Sequence, residues 1–156
     1  MKNLFFILFI CSSLYAQTYR GGFTYSFHDA SVPPQYHRSY VIDIEDTLVR
    51  FAVDSYEDIL FEETFSISGK ELADFIKGVK ACKLRYGKAK EEPNGCTGGT
   101  SDSFFFLWDG ETPQDGYMSK CGGKDYGNVK GNVEKLRALF KSMVPNFVMK
   151  LEGTRN

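Results

Sequence analysis

The strongest constraint on the fold is an alternation of large apolar residues with mostly polar or small residues in the first third of the chain. Phe23, Tyr25 and Phe27 are each followed by a polar residue, and the same period of two recurs over residues 39–44 and 48–54. Alternation of this kind is typical of strands that bury one face. These segments therefore predict at least three strands that each present one apolar face to a core.

Turn residues separate these strands. Two consecutive prolines fix the backbone of residues 31–35 and remove two donors, which predicts a loop. Residues 45–47 predict a hairpin turn. A further strand is predicted over residues 59–67, in which Glu63 falls on the otherwise apolar face.

Local capping signals predict two helices. Ser68 and Glu71 have the spacing of a capping box, and apolar residues follow at helical intervals, which predicts a helix over residues 69–83. A second helix is predicted to begin after Asn132 as the N-cap and to stop before Pro145.

The remaining segments predict further strands. Residues 104–108 are apolar at every position, which favours a central strand covered on both faces, and residues 116–121 predict its hairpin partner. Residues 86–94 have no periodicity and predict a surface connection. Residues 147–151 alternate briefly and predict a last edge strand.

Strands, helix, strand pair and helix in this order predict an α+β fold. We expect a mainly antiparallel sheet of about six or seven strands with two helices packed on one face. Aromatic residues make up 15% of the chain, which favours a packed core over disorder. Residues 17–156 are long enough for a single domain with its own core.

The first sixteen residues predict export. Lys2 precedes an apolar run that is shorter than the roughly 20 residues of a membrane-spanning helix, which is typical of a signal peptide over residues 1–16. We therefore expect a secreted or periplasmic protein without a transmembrane segment. Cys11 leaves open a lipid-anchored form, although the bulky Ile10 before it is unlike bacterial lipoprotein signals.

Three cysteines follow the predicted signal peptide. Cys96 and Cys121 both lie in glycine-rich segments at the open ends of a predicted hairpin, so we expect them to form a disulfide in an oxidising compartment. A bond between Cys82 and Cys96 is the alternative.

Composition and motifs exclude several function classes. The chain carries 19 basic and 20 acidic residues, a balance that gives no electrostatic footprint for nucleic acid. It has no histidine or cysteine pair at metal-ligand spacing, no nucleotide-binding glycine motif and no nucleophile elbow. We therefore expect no metal, no cofactor and no assigned catalytic residue, and an enzymatic role is disfavoured without being excluded.

Two segments are candidates for binding a partner. The loop after the prolines presents Tyr36, His37 and Arg38, and the turn after residue 108 presents Asp109 and Glu111. Such residues provide contact area and hydrogen bonds at modest entropic cost. The leading prediction is a non-catalytic binding domain that recognises a protein or cell-envelope component, as an inhibitor or an assembly factor.

Two alternatives stay open. His28 or His37 with a carboxylate such as Asp29 would suit a small extracytoplasmic hydrolase. A lipid anchor at Cys11 would suit a structural envelope lipoprotein. The oligomeric state is left open.

Overall fold

The computed structural model describes residues 22–91, 98–108 and 111–155. Outside the described residues lie the predicted signal peptide, Cys11, Cys96 and Asp109. Within the described ranges, no helix is both long enough and apolar enough to cross a membrane.

Eight strands and three helices form the described part of the chain. The strands are β1 (Gly22–His28), β2 (Ser39–Glu45), β3 (Leu48–Ser55), β4 (Asp58–Ser66), β5 (Arg85–Lys90), β6 (Thr100–Leu107), β7 (Gln114–Cys121) and β8 (Lys124–Lys130). The helices are α1 (Gly69–Ala81), α2 (Val133–Ser142) and α3 (Phe147–Gly153).

All eight strands belong to one antiparallel sheet with the order β4-β3-β2-β1-β6-β7-β8-β5. The strands β1 to β4 form a meander, and β5 crosses to the far edge, where it pairs with β8. The predicted α+β class is confirmed. The predicted number of strands was too low, and the predicted number of helices was too low by one.

The two missed strands are β5 and β8. Residues 86–94 were predicted as a connection, but β5 pairs with β8 although its residues are mostly exposed. Backbone hydrogen bonding to β8, rather than an apolar face, therefore forms this edge strand. The strand β8 starts directly after Gly122 and Gly123, whose positive φ values of 56° and 74° make a tight turn from β7.

The predicted edge strand at residues 147–151 was wrong, because this segment forms α3. Phe147 and Leu151 lie four residues apart and both pack against the core, which is the spacing of one helix face. Met149, the middle residue of the alternation, is exposed. The short alternating pattern was therefore a coincidence within a helical segment.

All three helices pack on the same face of the sheet. Phe23 meets Phe75 of α1 with ring centroids 5.4 Å apart, and Tyr25 meets Phe140 of α2 at 5.4 Å. Phe147 of α3 lies 5.2 Å from Tyr40. The core therefore lies between this face and the helices, as predicted, with α3 as an additional helix.

The opposite face of the sheet carries no helix among the described residues. Residues 104–108 were predicted to be covered on both faces, and β6 is indeed central. Phe104 and Phe106 are buried toward the helices, whereas Phe105 is half-buried and Leu107 is exposed. The predicted cover on both faces was therefore wrong, because Phe105 lines open clefts and Leu107 is exposed, with no second layer over them among the described residues.

The predicted helix signals are confirmed. Ser68 and Glu71 form both hydrogen bonds of a capping box at the start of α1, and Asn132 caps α2 by accepting from the N–H of Lys135. Glu63, the exception on the apolar face of β4, pairs with Lys150 of α3. The misplaced charge therefore helps to hold α3 against the sheet.

The structure tests one of the two predicted disulfide pairings and leaves the other as a prediction. Cys82 is buried and free, which excludes the alternative bond to Cys96. Cys121 is disulfide-bonded, and Cys96 lies outside the described residues, so the pair Cys96–Cys121 stays a prediction. Non-reducing peptide mapping should recover one disulfide-linked pair of peptides that contains these two residues. A disulfide-linked peptide that contains Cys82 would contradict this prediction.

Candidate functional site

A cleft of about 610 Å³ opens on the opposite face of the sheet. It lies where β1 ends, β2 begins and β3 turns into β4, and we name it the His37 cleft. Its lining consists of His28, Asp29, His37, Ser39, Val41, Arg50, Ala52, Asp54, Tyr56, Glu57 and Ile59. Both histidines of the chain and the predicted partner Asp29 therefore meet in one place.

His37 is buried in the wall of this cleft, with only 6% of its surface exposed. Its ring stacks on Tyr56 with centroids 3.9 Å apart, and its Nε2 lies 3.4 Å from the Ser39 hydroxyl. Its Nδ1 is buried and has no hydrogen-bond partner among the described residues. A buried polar atom without a partner is unusual in proteins and marks this ring as a place where a ligand group could supply the missing bond.

The turn that supports His37 has an uncommon backbone. Tyr56 and Glu57 form the two-residue connection between β3 and β4, and both have positive φ values, 50° and 74°. Such turns favour Asn-Gly, because other residues lose about 1–2 kcal/mol each in the left-handed region. The turn was not identified from the sequence, because it lacks the Asn-Gly pair that usually indicates a hairpin. The only sign of it is the short interval between two alternating segments.

Contacts with the proline loop hold this turn in place. The Tyr56 hydroxyl donates to the carbonyl of Val32 at 2.6 Å, and the Ser55 hydroxyl donates to the carbonyl of Pro34 at 2.9 Å. Together with the stacked rings, these bonds fix the turn against the loop. Loop and turn therefore form one rigid corner of the protein.

The predicted loop residues Tyr36 and Arg38 have different surroundings. Tyr36 is exposed. Arg38 is buried, and its guanidinium donates to the Thr154 hydroxyl at 2.9 Å and to the carbonyls of Pro34 and Thr154. Arg38 therefore fastens the loop to the end of α3, while Tyr36 faces solvent.

The second predicted segment lies elsewhere. In the register of β1 with β6, His28 is opposite Ser101 and Gly22 is opposite Leu107. Glu111 follows the Leu107 end of β6, so it lies toward the end of the sheet away from the His37 cleft, and it is exposed. The structure therefore does not bring Glu111 to the loop of Tyr36, His37 and Arg38, and Asp109 lies outside the described residues.

The carboxylates of the cleft give it negative charge, but they do not form a catalytic pair with a histidine among the described residues. Asp29 accepts from the backbone N–H groups of Ala30 at 2.8 Å and Arg38 at 3.0 Å, and no hydrogen bond joins it to either histidine in the described ranges. Asp54 and Glu57 add two further acidic groups. No group of three potential metal ligands occurs among the described residues.

The single cation in the lining is already paired. Arg50 donates to Asp43 at 3.0 Å and to Glu62 at 2.6 Å across neighbouring strands. Its charge is thus balanced twice within the sheet. The His37 cleft therefore has an acidic character.

A second polar cluster lies on the helix side of the sheet. The Tyr25 hydroxyl donates to Asp102 at 2.7 Å and lies 3.3 Å from the Tyr40 hydroxyl, and Arg137 of α2 pairs with Asp102. Burial raises the pKa of Tyr25 well above its ordinary value, and the neighbouring Tyr40 and Asp102 raise it further. Burial also raises the pKa of Tyr40 from 10.0 to about 12.

These tyrosines make stability depend on alkaline pH. An unfolded tyrosine loses its proton near pH 10, whereas folded Tyr40 keeps its proton until about pH 12. Between these two pH values the unfolded chain binds fewer protons than the folded protein. The contribution of Tyr40 to the free energy of unfolding is therefore fully present below pH 10.0 and is lost as the pH rises toward about 12. Urea unfolding across this range should show the decline, with a shallower slope in Tyr40→Phe. An equal slope in both proteins would contradict this assignment.

The geometry of the His37 cleft thus comes from one loop, one strained turn and parts of the four strands β1 to β4. Its acidic lining and its stacked rings are set by contacts within the chain. Comparisons of the chain with protein-family models, with curated proteins and with solved structures find no match.

Proposed function

We propose that this chain is an exported, non-catalytic binding domain that recognises a protein partner through the corner beside the His37 cleft. We name residues 33–38 and 56–59 the recognition corner. The observation that carries the proposal is the left-handed backbone of both Tyr56 and Glu57. Backbone strain tends to persist where particular side chains must be presented, because turn residues such as Asn-Gly would remove it.

The exposed side chains of the recognition corner suit a protein interface. Tyr36 is 59% exposed, Tyr56 is 48% exposed and Ile59 is 61% exposed. Aromatic residues are enriched at the centres of interfaces and carry much of their binding energy. Because loop and turn already fix one another, binding would order few additional side chains, which favours affinity.

The predicted export fits this role. A signal peptide over residues 1–16 would deliver the domain outside the cytoplasm, where an inhibitor or an assembly factor would meet its partner. A lipid anchor at Cys11 remains the alternative for the same address. Detergent-phase partitioning that disappears in Cys11→Ser would favour the anchored form.

Capture with matched variants tests the proposal. The full chain carrying a C-terminal tag would be used to retain proteins from an envelope extract of its own cells. Tyr56→Asn suits the left-handed backbone and removes the aromatic ring, so we expect it to lose a stoichiometric partner that the unchanged protein retains. Met149→Asn on α3 removes another exposed apolar side chain and should retain that partner. Equal retention by both variants would overturn the proposal.

The hydrolase alternative has one favourable observation. His28, His37 and Asp29 line the same cleft, and the Ser39 hydroxyl is within 3.4 Å of His37. Against it, both oxygens of Asp29 accept backbone N–H groups and orient neither histidine. Turnover of ester or peptide substrates that is abolished in His28→Ala and in His37→Ala would favour this alternative over binding.

A further inference from the structure

We propose that the partner contributes an extended basic segment, which adds as a ninth strand to the free edge of β4 and places cationic side chains beside the His37 cleft. This inference rests on the proposed function, since it names the chemistry of the partner bound at the recognition corner. Strand addition is a general mode of peptide recognition in which backbone hydrogen bonds supply affinity and alternate side chains supply specificity.

The strand β4 is an open sheet edge. It is the terminal strand of the order and pairs with β3 alone in the described part of the chain. Seven of its nine residues are exposed, and its sequence DILFEETFS contains no lysine and no proline. Lysine, proline and bulges are the usual devices that keep an edge strand from pairing. Each edge has one register shift, at Val53/Asp54 for β4 and between Tyr86 and Lys90 for β5, but β4 is regular from Phe61 to Ser66. Only β5 also carries basic residues, at three of its six positions.

The surroundings of β4 are acidic. From residue 51 to residue 69 the chain has five acidic residues and no basic residue. Two of them are balanced, since Glu62 pairs with Arg50 and Glu63 pairs with Lys150. Asp54, Glu57 and Asp58 have no ion pair with another described residue. Opposite charges attract across a sheet edge, so this edge favours a basic strand.

The two faces of β4 differ in a way that specifies the added strand. Phe61 and Phe65 lie opposite Val53 and Val49 and face the helices. Glu62 lies opposite Ala52, on the face that carries the His37 cleft. An added strand should therefore alternate, with apolar residues on the helix side and basic residues on the cleft side.

The cleft supplies an independent sign of a missing ligand. His37 is more than nine-tenths buried, lines the cleft and has an Nδ1 without a hydrogen-bond partner among the described residues. One ring nitrogen of a neutral imidazole is an acceptor, and the ammonium or guanidinium of a basic side chain is a hydrogen-bond donor that suits it. Asp29 and Glu57 in the same lining would balance its charge.

A second copy of this chain suits the edge less well. Two β4 strands would oppose their own acidic residues, and like charges directly opposite one another destabilise strand pairs. The strand β5 of another copy is basic, but it has only six residues and its register with β8 is regular only at Arg85 and Tyr86. A contact between β4 and β5 would also repeat head to tail without closing into a dimer. A basic strand from a different protein avoids both problems.

Three fluorescent peptides of equal length test the inference against the purified full chain. One alternates Lys and Val, one alternates Glu and Val, and one is the Lys–Val peptide methylated at every backbone nitrogen, so that neither edge of the strand can donate. We expect fluorescence anisotropy to detect binding of the first peptide only. Equal binding of the Glu–Val peptide, or of the methylated peptide, would overturn strand addition by a basic segment.

Matched charge reversals locate the site. The double variant Glu57→Lys with Asp58→Lys should weaken Lys–Val binding by at least about tenfold, which corresponds to 1.4 kcal/mol. The control double variant Glu91→Lys with Asp125→Lys reverses two exposed charges close to β5 at the opposite edge and should bind unchanged. An unchanged affinity in the first variant would overturn the inference. Sedimentation that showed a dimer dissociated by the first variant would also overturn it in favour of a second copy.

The outcomes separate this inference from the proposed function. If a partner is captured and lost in Tyr56→Asn while no Lys–Val peptide binds, the basic strand is wrong and the recognition corner stands. If the peptide binds at β4 while Tyr56→Asn retains every captured protein, the recognition corner is wrong and strand addition at β4 stands.

Discussion

Replacing Asp102 with alanine should lower the free energy of unfolding by about 3–5 kcal/mol, as expected when one partner of a buried ion pair is removed. The Asp102 side chain is 5% exposed and that of Arg137 is 13% exposed. In Asp102→Ala the guanidinium of Arg137 keeps its bond to the exposed Glu134 and a weak contact with the Met118 sulfur, and the Tyr25 hydroxyl loses its carboxylate acceptor. Urea unfolding followed by circular dichroism measures the loss.

Two comparisons test whether burial causes this effect. Arg50→Ala removes an exposed guanidinium with two carboxylate partners, and its loss should stay below about 1 kcal/mol. The double variant Asp102→Leu with Arg137→Met removes both charges and should be more stable than Asp102→Ala alone. A loss in Asp102→Ala as small as that in Arg50→Ala would contradict the role assigned to this cluster.

Gly127→Ala should destabilise the domain by about 3 kcal/mol or more, because it combines backbone strain with a collision. Gly127 has φ 120°, and an added Cβ would lie 2.1 Å from the carbonyl oxygen of Tyr117 on β7. The alanine would thus force β8 away from β7 and weaken the edge formed by β5. The free energy of unfolding from urea titration measures the effect.

Gly123→Ala is the matched control for this substitution. Gly123 also has a positive φ, 74°, but no atom lies within 4 Å of its added Cβ. It should lose only about 1–2 kcal/mol, from the left-handed backbone alone. Equal losses in the two variants would mean that the close approach to Tyr117 contributes nothing.

The elements predicted correctly from the sequence are those specified by neighbouring residues. The helix α1 has its capping box within four residues, and α2 has its N-cap at Asn132. The alternation in β1, β2 and β3 follows directly from which side chains face the helices. Local patterns of this kind are readable because each residue interacts with others close to it in the chain.

The elements that were missed depend on distant partners. The strand β5 exists because β8, about forty residues later, supplies its hydrogen bonds. Nothing in the residues next to Asp102 indicates that its carboxylate is buried. Its partner Arg137 lies 35 residues further along the chain, and the ion pair offsets the cost of removing the carboxylate from water. No period or capping signal records such pairings.

The candidate site was predicted in part for the same reason. The loop with Tyr36 and His37 was identified from its composition, and both histidines were considered. The turn at Tyr56 and Glu57, which completes the recognition corner, is separated from that loop by two strands. Only the pairing of β2 with β3 and of β3 with β4 brings it to His37.

Site-specific photo-crosslinking tests the central claim most directly. A benzophenone amino acid would replace Ile59 in the recognition corner, Leu107 at the far end of the sheet or Val148 on α3, all of which are exposed. In the full chain, expressed in its own cells, we predict a cross-link to one protein from position 59 and none to that protein from positions 107 and 148. Mass spectrometry should place the cross-link in a basic, extended segment of the partner. Cross-links of equal yield from all three positions, or from position 148 alone, would contradict recognition through this corner.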